Sequence, residues 1–398
     1  MRLVGAPGLP RIAPFCSALS LCALLSFPGS SAAQTAVPPT PAPAAPDGQA
    51  SAAQDPTEHE HSMELAGGPT LNFRGFMDLN LGVGSDANPL VFPLGVPANT
   101  SFQLGEFDLF MTSKLSEHIS FLAELVFGFD ATNVLGADLE RVQLTYTANK
   151  YLQVSGGRYH TAIGYYNTAF HHGTWFQTAT GRPFMYFFED SGGLLPVHNV
   201  GATATGLVPG TASTGLHWIA EVGNGRASSL QNAPVQNFQS DRNYKSNNVA
   251  VYIKPDWLHG LQVGANTYHD HLFPDGVTQV DERINGVYGV YITPTWEFMN
   301  EAVFMRNAIA QTGQTFDSKL MYSQLSRKFG KLRPYIREQY VHSPVGDPVN
   351  QFIGKYAGPS LGLRYDISAF VAVKAQYNRL YSGGPVANGV DFQAAFTF

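Results

Sequence analysis

The residues Gly389 to Phe398 constrain this chain more than any other stretch. Read as an extended strand, they place Val390, Phe392, Ala394, Phe396 and Phe398 on one face and Asp391, Gln393, Ala395 and Thr397 on the other. Successive side chains of a strand point to opposite sides, so this period of two asks for an apolar medium on one side and a polar one on the other. Lipid is the natural cover for such a face.

The same code recurs about sixteen times upstream. It predicts an all-β, 16-stranded antiparallel transmembrane β-barrel with short periplasmic turns and long extracellular loops. In hydrocarbon every backbone amide must be paired within the structure, and closing the last strand against the first achieves this. The first strand, from about Leu71 to Val83, sets Leu71, Phe73, Met77, Leu79 and Leu81 toward lipid and Arg74, Asp78 and Asn80 inward. Next come Phe107, Leu109 and Met111 outward with Glu106, Asp108 and Lys114 inward, then Phe121 and Leu125 outward with Glu124 inward, then Val142, Leu144 and Tyr146 outward with Arg141 inward. Further on, the alternation assigns Ile284, Tyr288 and Val290, Trp296 and Phe298, Leu320 and Tyr322, and Ile336 to the lipid face. It sends Glu297, Glu301, Arg333, Arg337 and Lys374 inward. In this register Asn300 and Glu338 also land on the lipid face, where a carboxylate is costly. That points to a bulge, to the outer rim or to a shifted strand.

Composition agrees with strands that face two solvents. Charged residues make up 14% of the chain, against roughly 25% in ordinary globular proteins, while Gly, Phe and Tyr number 40, 27 and 18. Mean hydropathy is nevertheless close to zero, and beyond the N-terminus no apolar run is long enough for a membrane-spanning helix. The formal charge of −6 becomes −8 without Arg2 and Arg11, so there is no basic footprint for nucleic acid.

Residues 1–33 read as a signal peptide, with Arg2 and Arg11 before the apolar stretch Ile12 to Leu25 and Ser31-Ala32-Ala33 as the cleavage site. Both cysteines, Cys16 and Cys22, fall in it, which leaves a thiol-free mature chain. Residues 34–69, rich in Ala and Pro, read as a disordered periplasmic segment that cannot bury enough apolar area to order itself. The barrel then occupies 70–398. Within the tether, Glu58-His59-Glu60-His61 reads as a solvated polar run rather than a metal site.

A barrel of sixteen strands is too wide to be filled by its own side chains. The element expected to narrow it is the third long loop, 160–196, whose aromatics are out of place on a wet loop tip. Folded inward, it would bring His160, His171, His172, Trp175, Arg182, Glu189 and Asp190 around a constriction beside Arg158 at the end of its strand. The alternative is an outer lid or a trimer contact, with no effect on conductance.

The run Val154-Ser155-Gly156-Gly157-Arg158-Tyr159-His160-Thr161-Ala162-Ile163-Gly164-Tyr165-Tyr166-Asn167 resembles the strand-to-loop segment of the phosphate-selective porin O and P family. There a Gly-Arg pair ends a strand and a Thr-Pro-x-Gly turn opens the long inward loop. Gly157-Arg158 and Thr161 to Gly164 fit that pattern, with Ala162 at the usual proline position. The resemblance implies a sixteen-stranded outer-membrane channel, usually trimeric. Separately, the C-terminal Phe398 is expected to be the contact for the barrel-assembly machinery. Phosphate selectivity would need a stack of cations, whereas the inward set here mixes Arg74, Arg141, Arg158 and Lys374 with Asp78, Asp108 and Glu124. The expectation is a passive pore for small hydrophilic solutes or ions, with no cofactor and no metal. A structural or adhesive barrel with a closed lumen is the alternative. The sequence carries no Gly-x-Ser-x-Gly elbow, His-Glu-x-x-His or phosphate-binding glycine loop, so an enzyme is not expected. His269-Asp270-His271 sets two imidazoles on one face of a strand end without a visible third ligand.

Overall fold

The computed structural model describes residues 61–64, 68–84, 101–129, 134–170, 173–188, 193–227, 238–350, 354–381 and 386–398. The signal peptide and most of the Ala/Pro-rich segment lie outside the described residues. A short strand, β1 (His61–Glu64), precedes sixteen long ones. The first eight are β2 (Thr70–Gly84), β3 (Ser101–Lys114), β4 (Ile119–Phe129), β5 (Leu135–Asn149), β6 (Leu152–His160), β7 (His198–Leu207), β8 (Leu216–Gly223) and β9 (Ser246–Ile253). The rest are β10 (Leu261–Leu272), β11 (Val280–Ile292), β12 (Trp296–Ile309), β13 (Thr315–Arg327), β14 (Leu332–His342), β15 (Lys355–Asp366), β16 (Val371–Tyr381) and β17 (Val386–Thr397).

Each strand from β2 onward pairs antiparallel with the next, and β17 returns to β2, from Gly389 opposite Gly84 to Thr397 opposite Phe76. Phe398 extends the seam: its N–H donates to Gly75 O at 3.0 Å, and Gly75 N–H donates to Phe398 O at 2.8 Å. The sheet therefore closes without an edge, as a transmembrane barrel must. β1 pairs with Thr70 to Phe73, along the part of β2 beyond the end of β17. It falls within the stretch 34–69 that precedes the barrel. Short turns close one rim, among them those at Lys150 and Tyr151 and at Thr293 to Thr295, while the longer connections, the third loop included, sit at the other.

The alternation of β17 is as anticipated. Asp391, Gln393, Ala395 and Thr397 are buried, and Phe392 and Phe398 are exposed on the outer wall. On β11 and β13 the expectation is overturned. Ile284 and Val290 are buried on the inner wall and Val287 is exposed, while Leu320 and Tyr322 point inward and Met321 outward. The cause is the interior: with Met299, Val303, Met305 and Val341 these residues form an apolar patch packed against Ile163, Tyr165, Tyr166, Phe170, Met185 and Tyr186 of the third loop. Where a loop supplies an apolar surface inside the barrel, both faces of the strand are apolar and alternation loses its meaning.

Asn300 and Glu338 do lie on the outer wall, without a bulge or shifted strand. Gly289, Asn300, Ser323, Glu338 and Pro359 pair in one row across β11 to β15. Bulges occur instead in β3, where Gly105 and Glu106 stand opposite the single residue Asp78 of β2, and in β5 at Glu140, where the ladder slips between Glu124 and Leu125. The second slip tucks both Glu140 and Arg141 into the interior.

Candidate functional site: the third loop in the lumen

β6 ends and β7 begins as a cross-strand pair, His160 opposite His198, and the third loop spans 161–197 between them. Its neck is tied by Thr161 N–H donating to Val197 O at 3.0 Å and by the Asn167 amide donating to Thr161 O at 2.8 Å and Val197 O at 3.1 Å. Gly157, in the Gly-Arg pair, has a positive φ of 131°, and a Cβ there would stand 1.9 Å from Val142 O. Only glycine lets the two strands approach so closely at the root of the loop.

The loop then runs along the inner wall, and its backbone is held by wall side chains of both signs. Acidic residues take up its N–H groups early on. Ala162 N–H donates to both Glu221 carboxylate oxygens at 3.1 Å, and Tyr165 and Tyr166 N–H donate to Glu301 at 2.7 and 2.9 Å. The hydroxyls of Tyr186 and Tyr322 complete the shell of Glu301, each at 2.6 Å. Farther on, cations donate to its carbonyls. Arg337 reaches Gly181 O at 2.7 Å, Arg364 reaches Trp175 O at 2.6 Å and Gln177 O at 3.0 Å, and Lys374 reaches Thr174 O at 2.5 Å and Ala179 O at 3.0 Å. Thr178 Oγ donates to Glu297 at 2.8 Å. These charges, which a water-filled lumen would hydrate, are spent on satisfying a buried loop backbone.

A short helix, α1 (Tyr166–Ala169), and a single helical turn at Phe184–Tyr186 shape the loop. Tyr166 stacks between Phe170 and Tyr186, with ring centroids 4.8 and 5.5 Å away. Burial pushes the Tyr166 phenol up to about 12, and burial with the neighbouring Glu301 charge raises Tyr186 well above its ordinary value, so both stay protonated. Phe176 meets Phe76 of β2 at 4.8 Å, which places this part of the loop beside the barrel seam.

Of the residues singled out in the sequence, Arg158, His160, Trp175 and Arg182 belong to the loop or its neck. Arg158 is buried and donates to Glu140 O at 2.9 Å, and Arg182 lies 3.7 Å over the Phe188 ring. Arg74 donates to Thr397 and lies near Trp175 and Phe176. Glu124 and Arg141 pair at 2.8 Å, and Asp78 and Asp108 are buried. Arg333 lies 3.8 Å from Glu297, while Arg337 and Lys374 hold the loop. Glu106 contributes its backbone N–H to Asp78 at 3.3 Å. His171, His172, Glu189 and Asp190 lie outside the described residues.

Between the loop and the wall opposite its later part is a cavity of about 410 Å³, lined by Arg141, Gln143, Thr145, Ser155, Glu221 and Gln262 together with Ala162, Gly164 and Thr168 of the loop. It reaches the short-turn rim at Glu117 and His118. The arrangement is a barrel with an internal loop on one arc and a polar space on the other.

No family model matches the chain, and no curated protein resembles it. Solved structures do. The anion-selective porin from Comamonas acidovorans superposes with a TM-score of 0.56 at 12% identity, over 83% of this chain and 100% of that one. The outer membrane channel DcaP of Acinetobacter baumannii gives 0.56 at 11%, over 84% and 99%. The trimer form of OmpT, an outer membrane protein of Vibrio cholerae, gives 0.52 at 14%, over 83% and 100%. The fold is that of an outer-membrane porin barrel.

Among the inward residues that escaped the sequence analysis are Arg364, which holds the loop, and two at its neck. Glu140 sits on a strand whose bulge no motif announces, and His198 gains meaning only through its pairing with His160 across the loop. His269 and His271 do share a face, with ring centroids 4.7 Å apart, and His271 Nδ1 lies 2.6 Å from Asp281, while Asp270 turns away to Arg242.

Proposed function

We propose that this protein is a passive channel of the bacterial outer membrane for small hydrophilic solutes or ions, narrowed by its third loop. The observation that carries this reading is the division of the lumen. The loop is bonded to one arc of the wall, and the 410 Å³ polar cavity lies along the other. A plug that served only to seal the barrel would leave no such space beside it, whereas this one is walled by Arg141, Gln143, Thr145 and Glu221. Charges of both signs there favour a general pore over a phosphate filter. The test is deletion of 168–188 with single-channel recording in a planar bilayer. A clear rise in conductance supports a constricting loop, and an unchanged value contradicts it. A strong anion preference in a KCl gradient would contradict the general pore.

The same reading extends to assembly as a homotrimer. Asn300, Ser323 and Glu338 form a polar row on the outer wall, beside a groove lined by Val263, Ala265, Gly289, Ala302 and Met321. A carboxylate facing acyl chains is costly, and contact with a second copy relieves the cost. Mass measurement in detergent tests it. A monomer at all concentrations contradicts the trimer.

A further inference from the structure

We propose a transition-metal site, best suited to zinc, at the neck of the third loop, formed by Glu140, His160 and His198. One ligand atom from each comes within 4.8 Å of the others, all three side chains are buried, and among the described residues this is the one group of three such ligands that converges. The topology brings them together in a purposeful way. His160 and His198 are the last cross-strand pair before the loop departs and returns, with rings 4.9 Å apart, and the bulge in β5 turns Glu140 toward them.

The imidazoles are already oriented. His160 Nδ1 lies 2.7 Å from Asn167 O, a carbonyl that only accepts, so Nδ1 carries the proton and Nε2 is the acceptor nitrogen of the ring. This is the outer-shell arrangement that fixes the tautomer of a metal-bound histidine. Asn167 is itself held by Thr161 O and Val197 O, so His160 is positioned by the neck that it would close. His198 Nε2 lies 2.6 Å from Glu140 Oε2, and the ring is stacked on Phe188 at 5.4 Å. At that separation the two atoms stand on either side of the place where the metal would sit, too close to admit it unmoved. A four-coordinate ion holds its ligand atoms roughly 3.3 Å apart, so binding needs rotamer shifts on the order of 1 Å.

Two imidazoles and one carboxylate match zinc and neighbouring first-row ions rather than calcium or magnesium, which prefer oxygen shells. Arg158, 3.8 Å from the same Glu140 oxygen, adds a repulsion that strong imidazole binding must overcome and that a weakly held hard cation would not. His160 also lines the cavity, which supplies an entry path. Three protein ligands leave a fourth position for water. The ion would clip β5, β6 and β7 at the root of the loop, and this holds whether or not the lumen conducts.

The experiment uses the full mature chain without an affinity tag, folded in detergent and titrated with Zn²⁺ and, separately, Co²⁺. One ion per chain is expected, with the visible bands of a four- or five-coordinate Co²⁺. Glu140→Gln, His160→Gln and His198→Gln should each weaken uptake by about tenfold or more, at least the effect of losing an outer-shell partner. A His59→Gln/His61→Gln variant should leave it intact. Heat-modifiable electrophoretic mobility establishes that each variant is folded, and any of the three that folds serves as the test. No stoichiometric uptake by the wild-type chain overturns the proposal. So does uptake that is kept by a folded neck variant and lost with His59 and His61.

Discussion

Replacing Glu301 should loosen the third loop, and two substitutions should do so in graded fashion. Its carboxylate accepts four hydrogen bonds, from the Tyr165 and Tyr166 amides and the Tyr186 and Tyr322 hydroxyls. Each oxygen serves one amide and one hydroxyl. In Glu301→Gln one oxygen becomes an NH2 group, so one hydroxyl can rotate and accept while one backbone N–H loses its acceptor. A buried donor left unpaired costs about 2 kcal/mol, or roughly 30-fold in the ratio of seated to released loop. Glu301→Ala strips all four donors of their partner. Hydrogen bonds to a charged group contribute ~1.5–3 kcal/mol each, but they act as one unit and do not sum, so a total on the order of 4–6 kcal/mol is the fair figure. That corresponds to roughly a 1,000- to 25,000-fold shift. In planar bilayers, Glu301→Gln should add brief excursions to a higher conductance level, and Glu301→Ala should dwell there. A folded Glu301→Ala barrel with the conductance and open-channel noise of the wild type would refute the reasoning.

Three further outcomes follow from individual contacts. Gly164 has a positive φ of 73°, and a Cβ there would stand 1.8 Å from Tyr186 Oη and 2.2 Å from Glu301 Oε2, so Gly164→Ala should reproduce the noise of the Glu301 variants in the same recordings. Deleting Phe398 removes both hydrogen bonds to Gly75 and the stack on Phe107 at 5.8 Å, and should lower the yield of heat-modifiable, folded barrel. In the connection after β10, hydrogen bonds from the Thr278 side chain and from the Thr278 and Val277 amides pull the Asp275 carboxyl down to about 2. Its folded value lies below the ordinary 3.8, so its contribution is present above that pH and is lost as pH falls through about 2. Amide exchange at Val277 and Thr278 should accelerate only there.

The barrel was legible because most strands keep one apolar face. The C-terminal strand shows why: Phe392 and Phe398 meet lipid while Asp391 and Gln393 are buried inside, and no third environment intervenes. β11 and β13 were misread because the third loop is such an environment. Ile284, Val290 and Leu320 are apolar for its sake, and a pattern rule that assumes water inside must turn them outward. The loop itself announced its need for burial through its aromatics, but not its partners. The roles of Glu301, Lys374 and Arg364 depend on which wall position faces which loop carbonyl or amide, and that is fixed by the winding of the sheet. Glu140 and His198 were invisible for a similar reason. A bulge and a pairing across a long connection bring them to His160, and neither leaves a local trace in the sequence.

The central claim is that water and small solutes cross between the loop and the polar wall around Arg141 and Glu221. Swelling of liposomes that contain the folded full-length barrel, in sugars and amino acids of graded size, measures this directly. The account predicts swelling that is fast for the smallest solutes and falls steeply with size. No swelling in any of them, from vesicles shown to carry folded barrel, would contradict it.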